Sequence, residues 1–129
     1  MLVTISAWVV RICGLLALIL GILFWTSTAP DSLIPVHILL GILVTLALFA
    51  LGYAIGTVRS GNWGLGATAF ILGLIVIVFG FAQRGLLDSS FGVLVKIIHL
   101  LFGLAAIGLG EMIGARYKRL SRVATQTAR

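Results

Sequence analysis

Residues 34–57 read IPVHILLGILVTLALFALGYAIGT, a run with no Asp, Glu, Lys or Arg, a histidine at position 37 and glycines at 41, 52 and 56. A helix of about 20 apolar residues crosses a hydrocarbon core of roughly 30 Å, so this stretch predicts a transmembrane span. Three more stretches of the same kind surround it, at about 3–26, 65–83 and 92–114. Composition agrees: 61% of the 129 residues are hydrophobic and 9% charged, with a mean hydropathy of +1.27, where soluble domains carry about 25% charged residues. A water-soluble fold is excluded. The predicted class is an all-α, integral membrane four-helix bundle over residues 1–115, followed by a basic tail over 116–129. Four spans leave room for short turns and no separate soluble catalytic module.

The turns set an expected orientation. The net charge of +6 would suit nucleic acid, but Arg116, Lys118, Arg119, Arg122 and Arg129 all follow the last span, where the positive-inside rule accounts for them. Arg59, in the second turn, falls on the same side. The other two turns are nearly balanced, with Asp31 and Asp88 against Arg84 and Lys96. Both termini are therefore expected in the cytoplasm, and nucleic acid is not an expected partner. Ser27-Thr28-Ala29 imitates a signal-peptide cleavage site. No Lys or Arg precedes the apolar run, however, and Pro30 follows directly, so residues 1–29 are read as a retained helix. Trp25 and Trp63 fit interfacial depth, Pro35 fits the first turn of the second helix, and Asp88 or a neighbouring serine can cap the fourth. The lone Cys13 rules out a disulfide framework within one chain.

The two halves of the chain resemble one another. Gly14-Leu-Leu-Ala-Leu-Ile-Leu-Gly21 in the first span has the glycine spacing of Gly73-Leu-Ile-Val-Ile-Val-Phe-Gly80 in the third. His37-Ile-Leu-Leu-Gly41 in the second matches His99-Leu-Leu-Phe-Gly103 in the fourth. Two helix hairpins in tandem share one orientation, so a duplication of this kind is related by a pseudo-two-fold axis along the membrane normal. The chain has only two histidines, and that axis sets them opposite each other.

A strongly polar side chain in a span is costly and by default faces the bundle interior with a partner or cofactor. Helices 2 and 4 of a sequential four-helix bundle stand on a diagonal and run in the same direction. His37 and His99 can thus approach from opposite sides, one above and one below a flat macrocycle. Counted at about 1.5 Å per residue, His37 lies about 33 Å from Arg59 and His99 about 26 Å from Arg116, a mismatch of one helical turn. Gly41 and Gly103, four residues on from each histidine, clear space on the same face, while Gly14, Gly21, Gly73 and Gly80 let a porphyrin edge lie against backbone. Lys96, one turn before His99, and Arg84 in the adjacent turn offer cations to haem propionates. Gly52-x-x-x-Gly56 and Gly110-x-x-x-Gly114 are read as close-packing motifs instead.

His37-x-x-x-Gly41 and His99-x-x-x-Gly103 on alternate helices, with glycine pairs on the others, resemble the four-helix haem-binding core of membrane b-type cytochromes over most of residues 10–105. The resemblance implies one bis-histidine haem b near the outer face, with His37 and His99 as metal ligands. It also implies one-electron transfer, in a carrier or haem-anchoring subunit rather than a stand-alone enzyme, with a quinol or a redox protein as partner. Such cytochromes commonly hold two haems on four histidines, and no second pair exists here.

Two other readings stand beside this one. The first is a haem-free accessory or assembly subunit that joins a homo- or hetero-oligomer through its glycine-rich helix faces. The second is a small transporter or channel built on Glu111, the only carboxylate in a span, although Glu111 is more simply an ion-pair partner of Arg11 or Arg116. No Ser-His-Asp set, HExxH, phosphate loop or CxxC is present.

Overall fold

In the computed structural model, residues 1–58, 62–87 and 90–127 are described. Four helices account for nearly all of them: α1 (Leu2–Trp25), α2 (Ile34–Thr57), α3 (Trp63–Ala82) and α4 (Gly92–Thr127), with 3-10 turns at Asp31–Leu33 and Gln83–Gly85. All four are long and apolar enough to cross a membrane, which makes the chain a multi-pass membrane protein built as an all-α four-helix bundle.

The helix ends follow from local chemistry. Pro35 stands in the first turn of α2, where its missing N–H costs nothing. Asn62 caps α3, its side-chain oxygen accepting from the Leu65 N–H at 3.1 Å. α1 closes in a Schellman arrangement, the Ser27 N–H donating to the Phe24 carbonyl and the Thr28 N–H to the Leu23 carbonyl. Ser27 takes the left-handed position there, at φ 55°, a place usually filled by glycine. The expected cap of α4 at Asp88 or Ser89, the second-turn cation Arg59, the tail residue Arg129 and the Arg84 side chain lie outside the described residues.

The tail differs most from expectation. Helix α4 does not stop near residue 114 but runs on to Thr127. Nothing between 115 and 127 breaks it, since Ala, Arg, Lys, Leu and Gln favour helix and no Gly or Pro intervenes. Tyr117 and Leu120 remain packed against the core.

The helices form a ring in sequence order, closed by α1 against α4. The α2–α4 diagonal is also in contact. The fully buried side chains Val10, Leu48, Leu51, Ile55 and Ile113 lie in the half of the bundle nearest the two termini. Close packing there rests on small residues: a Cβ added at Gly66 would lie 2.7 Å from the Gly52 carbonyl oxygen, and one at Gly110 would lie 2.7 Å from Val10 Cγ1. In lipid, where apolar burial gives little drive, such backbone approach is what holds helices together. Most large side chains of the outer surface, Leu46, Ile71, Leu74, Val78 and Leu101 among them, are exposed and apolar, as a lipid-facing surface requires.

The internal repeat reappears as contacts. His37 and His99 are 62 positions apart, as are Gly52 and Gly114; Gly21 and Gly80 are 59 apart, as are Ala7 and Gly66. Gly66 meets Gly52 between α3 and α2, and Ala7 meets Gly114 between α1 and α4. Gly21 faces His37 and Gly80 faces His99, at 3.5 and 3.7 Å to the respective Cε1 from an added Cβ. The same pairings thus occur in both halves.

Candidate functional site

The half of the bundle away from the termini is hollow. A cavity of about 720 Å³ opens between the four helices and is lined by His37 and His99 together with Gly14, Gly21, Gly41, Gly80, Gly103 and Lys96. Its mouth lies between the two turns at that end, where Pro30, Asp31, Gln83 and Leu87 border it. The volume is within the roughly 300–1,000 Å³ range of small-molecule and cofactor sites.

His37 sits one turn into α2 and His99 two turns into α4, on the diagonal whose helices touch. Their ring centroids are 6.0 Å apart with planes inclined at 52°. The one-turn depth mismatch counted along the sequence is absent because Arg59 and Arg116 are unequal landmarks: α2 ends at Thr57, whereas Arg116 lies well inside α4. Phe24 meets His37 edge-on at 5.8 Å. Phe79 stacks on His99 at 6.1 Å and is itself braced by Phe102. The Nδ1 atoms of both histidines are buried without a hydrogen-bond partner, a state that costs about 1–3 kcal/mol for each group.

The structure sorts the glycines that the sequence grouped together. A Cβ at Gly41 or Gly103 would meet nothing within 4 Å, so both leave open space one turn from their histidines. Gly14 borders the cavity but also receives Ile107, whose Cγ1 would lie 2.6 Å from an added Cβ. Gly73 is the exception: it is not part of the cavity lining, and its missing side chain makes room for the Phe49 ring at 2.7 Å. Between α2 and α3, the Thr45 hydroxyl reaches the Gly73 carbonyl at 3.5 Å. Gly73 therefore packs α3 against α2 instead of walling the site.

Two imidazoles alone cannot complete a tetrahedral metal site, and among the described residues no three His, Cys, Asp or Glu side chains gather. The donor set instead suits an iron that brings its own equatorial nitrogens and needs two axial ligands. The separation of the histidine pair and the space at Gly41 and Gly103 are what two histidine ligands of a haem would need.

Glu111 is engaged elsewhere. The Arg11 guanidinium donates from Nε to Oε1 at 2.8 Å and from Nη2 to Oε2 at 2.6 Å, joining α1 to α4, and it lies 4.7 Å from the centre of the Trp8 ring. Sequence reasoning missed Phe24 and Phe79. The signal was present, since Phe24 follows Gly21 by three residues on one helix face and Phe79 adjoins Gly80.

Comparison with known proteins gives no matching family model, no matching curated relative and no matching solved structure.

Proposed function

We propose that this chain is a membrane-bound mono-haem b electron carrier, or the haem-anchoring subunit of a redox complex. The observation that carries the reading is the pair of imidazoles at 6.0 Å inside a cavity walled mainly by apolar side chains and glycine, with Ser27, Asp31, Gln83 and Lys96 also in its lining. His37 and His99, both in the cavity lining, would each give one ring nitrogen to the iron. Bound haem b supplies reversible one-electron chemistry. Phe24 and Phe79 fix the imidazole planes, and Gly41 and Gly103 leave the space beside them. Gly14, Gly21 and Gly80 bring backbone to the cavity wall, and Lys96 offers a cation to carboxylates at the mouth, a role open to Arg84 as well. On the positive-inside rule the basic residues after Gly114 would face the cytoplasm, and the cavity would then open on the extracytoplasmic side. A quinol or a redox protein meeting that face would be the electron partner. The transporter reading is less favoured, because Arg11 occupies both oxygens of its one intramembrane carboxylate.

A reduced-minus-oxidised optical spectrum of the purified protein tests this. The expected result is a sharp alpha band that weakens or changes spin state in His37→Ala and in His99→Ala. Retention of the wild-type spectrum by both variants removes the proposal.

A further inference from the structure

A second cavity, of about 600 Å³, lies at the opposite end of the bundle. It is a cleft between the start of α1, the end of α2 and the extension of α4, lined among others by Thr4, Tyr53, Thr57, Tyr117, Lys118 and Ser121. We infer that this cleft is a binding site for the head group of an anionic phospholipid from the leaflet at the terminal end of the bundle. The inference does not depend on haem.

Depth is the first argument. About 20 residues at 1.5 Å each cross the hydrocarbon; counted from Trp25, Ile34 and Gly92 at the far ends of α1, α2 and α4, the crossing finishes near residues 5, 54 and 112. Three helices thus independently put the cleft at or just beyond the hydrocarbon boundary, where phosphate groups lie. Chemistry is the second. Lys118 lines the cleft and Arg122 follows one turn later on the same helix face. No Asp or Glu occurs from 112 to 127; the nearest carboxylate on the helix, Glu111, interacts with Lys118 through charge but is held in a bidentate pair by Arg11. The Thr57 and Ser121 hydroxyls already donate to carbonyls of their own helices, to Tyr53 and Ala54 and to Tyr117 and Lys118 respectively. The Lys118 ammonium and the phenols of Tyr53 and Tyr117 are therefore the donors suited to phosphate oxygens, and tyrosine is a residue of this depth. Shape is the third: the cleft is bordered by the exposed Leu2 and Tyr53, so acyl chains can continue from it down an apolar surface. A free phosphate ion gains nothing from that surface.

The test is thermal unfolding of the full chain in neutral detergent, with added phosphatidylglycerol, phosphatidylcholine or inorganic phosphate. At a hundredfold excess over its dissociation constant, phosphatidylglycerol should raise the midpoint by about 5–10 °C, with no comparable shift from the other two. Lys118→Gln should weaken phosphatidylglycerol binding about fivefold and Lys118→Gln/Arg122→Gln about 25-fold. Arg116→Gln, about 200° around the helix from Lys118, should leave it nearly unchanged. Circular dichroism without lipid checks that the variants are folded. Equal shifts from the two lipids, or a full shift from phosphate alone, would overturn the proposal. Loss in Arg116→Gln equal to that in Lys118→Gln would do the same, since it would mean a diffuse charge effect and no site.

Discussion

Alanine at Gly66 and alanine at Gly103 should change stability in opposite directions. At Gly66 an added Cβ would lie 2.7 Å from the Gly52 carbonyl oxygen, 0.7 Å inside the 3.4 Å at which ordinary contact begins. Both groups belong to helix backbone, so neither can swing aside. Helices α2 and α3 must part, loosening Leu51, Ile55 and Ala69, all of which are fully buried. Overpacking of this kind costs about 1–3 kcal/mol. The better helix propensity of alanine offsets up to about 1 kcal/mol, leaving a net loss of up to about 2 kcal/mol. At Gly103 the added Cβ meets nothing within 4 Å, so only the propensity gain of up to about 1 kcal/mol remains. The propensity gain cancels between them, so the two variants should differ by about 1–3 kcal/mol in reversible unfolding in mixed detergent micelles followed by circular dichroism. If Gly66→Ala proves as stable as Gly103→Ala, the close approach of α2 to α3 is wrong, and with it the division between a packed half and a hollow half.

Other substitutions probe separate features. Gly103→Leu should leave the helical spectrum intact but lower haem retention on a size-exclusion column, whereas Gly73→Leu should disturb folding itself by displacing Phe49; the reverse pattern would mean the cavity is misassigned. Arg11→Leu should destabilise the bundle more than Arg11→Leu/Glu111→Leu, because the single variant strands a carboxylate within a span; a double variant worse than the single would contradict this in the same unfolding assay. Ser27→Gly should stabilise by about 1 kcal/mol by relieving a left-handed serine, and Asn62→Ala should cost about 1 kcal/mol with the loss of the α3 cap, both read from unfolding midpoints.

The sequence determined much about this chain before any tertiary contact was known. The four spans follow from long apolar runs with few charges, and their starts from Pro35 and the turn residues. The equivalence of His37 and His99 follows from two matching hairpins, each histidine followed four residues later by a glycine. The extension of α4 to Thr127 agrees with its helix-forming composition, but a count of residues needed to cross the hydrocarbon says nothing of it. Tertiary structure alone decided what each glycine does. Gly41 and Gly103 border open space, Gly52 and Gly66 bring two backbones together, and Gly73 receives a phenyl ring, although all five are glycines in equally apolar surroundings. The reason is physical. In a soluble helix the alternation of polar and apolar residues reports which face turns inward. In a bilayer both the lipid-facing and the core-facing sides are apolar, so the rotation of each helix about its axis, and with it the cavity at one end and the close packing at the other, is fixed only by how the side chains of neighbouring helices fit.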